Sequence, residues 1–293
     1  PTVITVPAQF TDRQRQSTLK AAALAGVAHV RLVEEPVAAA TYYGLDEGPR
    51  DRTLLVYDFG GGTFDVTLLQ TSRDGLFVLA TDGIAQLGGR TIDQHIVELI
   101  DSDFKRRFQR TVTDDPASAQ RLRRLAEDSK IKLSKPGSAQ IRQTLLLLGQ
   151  PYEFLLTRPQ FETIAQAAVH QTLDCCQRCL KEAGLSWRDV DHILLTGGSS
   201  LLPQVAIELL RVSGKAPNSL ILKQPHQAVA FGAAVLAQRY ATDSGGDSLI
   251  QPVTTADVCL RVWDKRHNRP GLESLIPKNT PLPTRYDRTF YTN

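Results

Sequence analysis

Two carboxylates, Asp58 and Asp65, bracket a run of glycines in the stretch Asp58-Phe59-Gly60-Gly61-Gly62-Thr63-Phe64-Asp65. Glycine permits positive φ and lets a ligand approach the backbone closely, and successive N–H groups in such a turn can form an anion-binding nest. Carboxylate oxygens suit Mg²⁺, which keeps several waters when it binds. The stretch therefore indicates either a phosphate and metal site or an ordinary tight hairpin. It is not a Walker A loop, because no Gly-Lys-Ser/Thr follows.

A second strand-to-glycine turn, Thr196-Gly197-Gly198-Ser199-Ser200, follows the apolar run His192–Leu195. Its glycines would permit close backbone approach in the same way as those of the first turn. Two such turns in one body suggest two walls of a cleft that holds a phosphorylated ligand.

The elements that must position these turns follow from periodicity. Apolar or alternating runs predict strands at Val3–Val6, His29–Val33, Leu54–Tyr57, Phe64–Leu69, Phe77–Thr81, Ile141–Leu148, Tyr152–Leu155 and His192–Leu195. Helices are predicted at Thr11–Gly26, Pro36–Tyr43, Ala119–Leu133, Thr157–Ala183, Pro203–Val212, Gln227–Tyr240, and after Gly88-Gly89 with the apolar row Ile96, Ile100, Phe104 and Phe108. Residues 46–52 and 111–118 are predicted to be turns or loops.

The length of 293 residues exceeds one typical domain. The alternation of strands and helices indicates an α/β body, and the Gly, Ser and Asp of residues 241–247 indicate a linker before a β-rich segment.

The net charge of +3 argues neither for nucleic acid nor for a membrane surface, and no apolar run approaches the ~18–20 residues of a membrane span. Three cysteines (Cys175, Cys176, Cys179) lie in a helix-like segment and Cys259 lies far away, so we expect plain thiols in a reducing cytosol.

Several motifs occur together in one order: Val3–Ala8, Glu35–Ala40, Asp58–Asp65, Leu87–Gly89, Gly197–Ser199 with Pro203, and Ala228–Ala234. In that order and spacing they resemble the DnaK-type seventy-kilodalton heat-shock chaperones, over nearly all of residues 1–240. Residues Asn279–Thr284 resemble, less closely, an early segment of that family's substrate-binding domain.

The resemblance implies an actin-like (ribonuclease H-like) ATPase body at residues 1–240, a linker at 241–253, and the start of a β-rich substrate-binding domain at 254–293. It implies a body that is incomplete at its N-terminus. The family's first phosphate loop and catalytic lysine do not occur in this sequence, so we expect this stretch alone to hydrolyse ATP weakly or not at all.

The resemblance also implies roles at the first turn. Asp58 would hold the water shell of Mg²⁺ or orient the attacking water, and Asp65 would support that shell. Thr63 would place its hydroxyl near the γ-phosphate, and Glu35 would face the same metal and water. Such roles suit phosphoryl transfer, which depends mostly on positioning and on charge neutralisation.

The nucleotide itself would be held by backbone and by one helix. The residues implied are Gly60, Gly61, Gly62, Gly89, Glu127, Lys130, Ser134, Gly197, Gly198 and Ser199. Glu127, Lys130 and Ser134 share one helical face by their spacing. Apart from the resemblance, Glu127 and Lys130 are equally explained by a surface ion pair, which contributes little stability.

Five features depart from the family pattern. Ile131 and Leu201 stand where arginines are common near the base, Arg90 stands where an acidic residue is usual, and His226 replaces a common aspartate. The usual Leu-Leu-Leu-Asp linker is altered to Leu249-Ile250-Gln251-Pro252. These changes leave the first glycine turn intact and bear on nucleotide affinity, selectivity and coupling between domains.

The resemblance implies an ATP-dependent molecular chaperone of the cytoplasm, which binds ATP or ADP with Mg²⁺ and couples hydrolysis to the binding of unfolded client polypeptides. Its partners would be a J-domain co-chaperone and a nucleotide exchange factor, with no nucleic acid and no membrane. Two alternatives remain open: a divergent nucleotide-binding scaffold without turnover, suggested by Arg90, Leu201 and His226, and an actin-fold metabolite kinase.

Overall fold

The structure is a computed structural model, and it describes residues 1–44, 51–72, 75–242, 250–251, 253–254, 256–264, 269–282 and 284–287. The predicted turn at 46–52 lies outside the described residues except for 51 and 52. The same is true of most of the predicted linker, including Leu249 and Pro252, and of parts of the predicted segment 254–293. No helix among the described residues combines the length and apolar character needed to cross a membrane.

Groups of strands alternate with helices along the chain, as the sequence predicts. The strands are β1 (Thr2–Val6), β2 (Val30–Glu34), β3 (Thr53–Phe59), β4 (Phe64–Ser72), β5 (Gly75–Ile84), β6 (Gln140–Leu147), β7 (Gln150–Thr157), β8 (His192–Thr196), β9 (Leu220–Ile221), β10 (Ile250–Gln251), β11 (Val258–Asp264) and β12 (Arg269–Ile276). The helices are α1 (Asp12–Leu24), α2 (Glu35–Tyr42), α3 (Gly89–Phe108), α4 (Pro116–Leu133), α5 (Arg158–Glu182), α6 (Pro203–Ser213) and α7 (Ala228–Thr242).

A six-stranded mixed sheet forms the centre, in the order β10-β5-β4-β3-β8-β9. The pairs β3–β4 and β4–β5 are antiparallel, whereas β8 runs parallel to β3 and β9 parallel to β8. The register pairs Asp58 with Asp65 across the first glycine turn and pairs Asp58 with Thr196 on β8. Both glycine turns therefore leave the sheet at the same edge.

Helices cover both faces of this sheet. Side chains such as Leu55, Tyr57 and Phe59 point to one face, where they pack with α3, α4, α5 and α6. The alternate residues Leu54 and Val56 point to the other face, where they pack with α2 and α7. Since β3 is buried on both faces, its residues are apolar in an unbroken run instead of alternating between apolar and polar.

Local signals account for most helix boundaries. Thr11 and Gln14 form the predicted capping box of α1, and Thr157 and Gln160 form one at α5. The predicted start of α4 at Ala119 is wrong: the helix begins at Pro116, because Asp115 caps it by accepting from Ser118 N at 2.8 Å. The predicted loop at 111–118 is therefore shorter and contains a 3₁₀ turn, Val112–Asp114.

The C-terminal segment contacts the body at several points. Two residues of the predicted linker form β10, which pairs parallel to Leu76 and Phe77 of β5. Lys278 Nζ donates to Glu182 Oε2 at 2.9 Å, and Thr81 N donates to Asn279 Oδ1 at 3.2 Å. Beyond β10, β11 and β12 form an antiparallel hairpin, and β6 and β7 form another beside α4 and α5.

The cysteines behave as plain thiols. Cys175, Cys176 and Cys179 are free and buried on α5, and Cys259 is free and exposed on β11. Burial raises the pKa of Cys176 and Cys179 and so keeps both protonated near neutral pH.

The crossing of α2 and α7 depends on one glycine. An ideal Cβ on Gly232 would lie 1.7 Å from the carbonyl oxygen of Ala38, which is backbone and cannot move aside. On helix propensity alone, Gly232→Ala would stabilise α7 by about 1 kcal/mol. We expect it instead to lower the free energy of unfolding by about 1–3 kcal/mol through overpacking, measured by urea unfolding. Ala234→Gly, at an exposed site of the same helix, is the control. A Gly232→Ala protein as stable as the wild type would contradict the close crossing.

Candidate functional site

The first glycine turn links β3 to β4 and is closed by a hydrogen bond from Gly60 N to Thr63 O at 3.0 Å. Gly61 and Thr63 are exposed and Gly62 is half-buried. The N–H groups of Gly61, Gly62 and Thr63 donate to no described residue. Three successive N–H groups at the end of a buried hairpin are therefore available to an anion, although none of the three glycines has the positive φ that the sequence would have allowed.

The carbonyl oxygen of Gly60 joins three distant segments. It accepts Gly89 N at 3.0 Å and the Ser199 hydroxyl at 2.8 Å. Beside it, Arg90 N donates to Gly61 O at 2.8 Å. An ideal Cβ on Gly88 would lie 2.5 Å from the backbone of Gly61, so only glycine fits there. The first turn, the start of α3 and the second turn are thereby fixed as one junction.

The second glycine turn packs directly against the end of β3. Gly197 has a φ of 78°, and an ideal Cβ on it would lie 2.4 Å from Phe59 O and 2.7 Å from Asp58 Oδ1. Its N–H donates to Pro225 O at 3.1 Å. The residue thus needs glycine for both its backbone conformation and its contacts. The two predicted glycine turns are therefore in direct contact at the end of β3.

Three predicted carboxylates share this place, and burial is the main cause that raises the pKa of each. Burial, followed by the charges of Asp58 and Asp65, raises the pKa of Glu35 to about 7. Burial and the charge of Asp58 raise the pKa of Asp65 to about 6. Burial also raises the pKa of Asp58. Like charges held together in this way favour a nearby cation or a shared proton.

Gln9 is a site residue that the sequence did not reveal. Its side-chain Nε2 donates to Asp65 Oδ1 at 2.9 Å, which lowers the pKa of that carboxyl and partly opposes the burial. Gly83 provides the space, because an ideal Cβ there would lie 1.8 Å from Gln9 Nε2. The two residues of the hydrogen bond are 56 positions apart, so no local pattern signals the contact.

Lys130 reaches the junction from α4. Its ammonium donates to Asp93 Oδ2 at 2.7 Å and to Gly89 O at 3.1 Å, with the Lys130 and Asp93 side chains each 13% exposed. The alternative of a surface ion pair with Glu127 is wrong, because Lys130 pairs with Asp93 instead. Asp93 was missed, although its position four residues after Gly89 puts both on one face of α3. The Asp93 Oδ1 atom is buried and has no hydrogen-bond partner among the described residues.

The other predicted nucleotide-binding residues make fewer contacts with the junction. Glu127 is exposed, and its charge raises the pKa of Asp93, so it lies nearby. The Ser134 hydroxyl donates to Lys130 O at 2.8 Å, within its own helix. An ideal Cβ on Gly198 would lie 2.6 Å from His226 Cε1, so His226 covers the second turn. The roles of these residues remain predictions.

The donor set suits a hydrated metal ion more than a directly ligated one. Among the described residues, no three His, Cys, Asp or Glu side chains come together as direct ligands. Mg²⁺ usually keeps several waters and uses one or two carboxylates. Burial, followed by the charge of Asp58, raises the pKa values of Glu35 and Asp65, and a dication held through water would relieve the part that is due to charge. The residues present therefore fit Mg²⁺.

The carboxylates make stability depend on pH. Glu35 and Asp65 have folded-state pKa values of about 7 and about 6, above the ordinary 4.5 and 3.8. The stability that they contribute is fully present below about pH 4 and is lost as the pH rises through 6 and 7. Asp58→Asn removes a charge that raises both pKa values. We therefore expect the decrease in the free energy of unfolding between acid and neutral pH to be about 1 kcal/mol smaller in this variant.

Urea unfolding at pH 4.5 and pH 7.5, in chelator to exclude divalent ions, measures this difference. Asp128→Asn, at an exposed position of α4, is the matched control and should leave the pH profile unchanged. A profile for Asp58→Asn identical to that of the wild type would show that these charges do not interact.

Comparison with known proteins identifies the family of this chain. A family model described as Hsp70 protein matches residues 1–293. The protein called Chaperone protein DnaK in Thermotoga petrophila is 36% identical over 299 residues, which cover 99% of this chain and 49% of that protein. The proteins of the same name in Thermotoga maritima and Thermotoga neapolitana show the same identity and coverage. The chain spans about half the length of the curated relatives it matches, and it belongs to the HSP70 family.

Proposed function

We propose that this chain carries the nucleotide-binding part of an ATP-dependent chaperone. Its mixed sheet with helices on both faces supports an actin-like (ribonuclease H-like) ATPase body at residues 1–240. Residues 241–253 would be the linker and residues 254–293 the start of the β-rich substrate-binding domain. The protein would act in the cytoplasm on unfolded client polypeptides, with a J-domain co-chaperone and a nucleotide exchange factor.

The junction at the Gly60 carbonyl is the observation that carries this proposal. It brings three free N–H groups of the first turn together with the second turn and with Lys130 of α4. Backbone N–H groups of this kind suit the β- and γ-phosphates of ATP. Gly89, Gly197, Gly198 and Ser199 would pass close to the nucleotide, and Glu127, Lys130 and Ser134 would hold its nucleoside.

The carboxylates would divide the chemistry among them. Asp58 would hold the water shell of Mg²⁺, which supplies charge neutralisation of the phosphates when bound. Asp65, oriented by Gln9, would support that shell. Glu35, whose pKa is about 7, is suited to hold or accept a proton of the attacking water near neutral pH. Thr63 would place its hydroxyl at the terminal phosphate.

ATP turnover by the full-length protein tests the proposal. We expect Mg²⁺-dependent phosphate release that Asp58→Asn lowers by about 100-fold, a typical effect of removing one group that stabilises a transition state. ADP binding, measured by calorimetry, should persist in the variant, and a chemically denatured reporter enzyme should refold only with ATP and the wild-type protein. ADP and ATP binding without phosphate release from the wild type would contradict turnover and favour the scaffold.

The contact between the C-terminal segment and α5 supports coupling of the two domains. Lys278 donates to Glu182 at 2.9 Å, and Asn279 Nδ2 donates to the same oxygen at 3.0 Å. Because the Lys278 and Glu182 side chains are 27% and 39% exposed, the pair contributes under about 1 kcal/mol to the free energy of unfolding. Its charge can therefore be reversed without unfolding the protein.

We expect Lys278→Glu in the full-length protein to reduce severalfold the acceleration of client-peptide release by ATP, because the segment loses one of its contacts with the body and gains a repulsion from Glu182. The double variant with Glu182→Lys should restore the acceleration. Lys181→Glu, on the same helix, is the control. Release measured by fluorescence anisotropy that responds to ATP equally in all variants would show that this contact plays no part in coupling.

A further inference from the structure

Arg90 is the second residue of α3 and lies against the first glycine turn. Its guanidinium carbon and nitrogens are 3.7–3.9 Å from the position of an ideal Cβ on Gly62. Its own N–H donates to Gly61 O at 2.8 Å, which fixes the start of the side chain beside the turn. The guanidinium therefore lies next to the free N–H groups of the turn, at an exposed position.

The charge of Arg90 has no partner within the described part of the chain, where its guanidinium makes no ion pair or hydrogen bond. The other cation at the junction, Lys130, is already committed to Asp93 at 2.7 Å. The two cations thus differ in whether their N–H donors are free to bind a ligand. Lys130 is neutralised by the protein, whereas the five N–H donors of Arg90 are free to bind an anion.

The position is also unfavourable for a cation in the absence of an anion. Positive charge in the first turn of a helix is destabilising, because that end of the helix dipole is itself positive. The first turn of α3 contains no acidic residue to offset it. Arg90 is thus a cation at an unfavourable helix position without a compensating contact in the described part of the chain. Such locally unfavourable residues are expected at functional sites.

We propose that Arg90 binds phosphate oxygens of the nucleotide held at the first glycine turn. The inference rests on the proposed function and adds a specificity-determining residue to it. A planar guanidinium binds phosphate by two parallel hydrogen bonds, and here it extends the N–H groups of Gly61 and Gly62. The contact makes affinity depend on the phosphate chain rather than on the base.

Calorimetric titration of the full-length protein with ATP, ADP and adenosine tests the inference. We expect Arg90→Ala to weaken ATP and ADP binding about tenfold, the loss of one charge-assisted contact, and to leave adenosine binding unchanged. Arg90→Lys should retain part of the affinity, since it keeps the charge and loses the planar fork. The salt dependence of ADP binding should be smaller in Arg90→Ala.

Arg188→Ala is the matched control, because Arg188 is exposed and precedes β8, at the end of that strand opposite to the second turn. Circular dichroism should show every variant folded, since Arg90 is exposed. ADP binding by Arg90→Ala as tight as by the wild type, or an equal loss for adenosine, would overturn the inference while the proposed function stands. A wild-type protein that binds neither ATP nor ADP would overturn both.

Discussion

One backbone oxygen, the carbonyl of Gly60, holds the site together. It uses both of its lone pairs, one for Gly89 N and one for the Ser199 hydroxyl. The three segments that it joins come from a hairpin, the start of a helix and the end of a parallel strand. Side chains larger than hydrogen at Gly88 or Gly197 would collide with backbone there, so the junction itself requires these glycines.

Apart from the pair Lys130–Asp93, the charges around this junction are separated in space rather than neutralised. Burial raises the pKa values of Glu35, Asp58 and Asp65 on the sheet side, and neighbouring carboxylate charges raise those of Glu35 and Asp65 further. Arg90 and the free N–H groups of the turn supply positive potential beside them. A ligand that carries a dication and a polyphosphate presents both signs at once. We infer that the site is electrostatically complementary to a magnesium nucleotide rather than to a simple anion.

Features encoded locally were predictable, and those created by packing were not. The capping boxes at Thr11 and Thr157 and the strands around the first turn follow from neighbouring residues. The start of α4 also has a local sequence signal, since Pro116 follows the capping residue Asp115. That signal was overlooked because the polar composition of residues 111–118 was interpreted as a loop. The pair Lys130–Asp93 spans 37 residues, and no periodicity can indicate which of several carboxylates a lysine selects.

Strand β5 connects the site to the C-terminal segment. At one end it pairs with β10, and near the other end Gly83 lies opposite Asp65, where Gln9 also reaches. Between these points, Asp82 contacts Arg178 at 3.0 Å and Lys278 at 3.9 Å. Strand β5 therefore contacts both the site and the C-terminal segment directly.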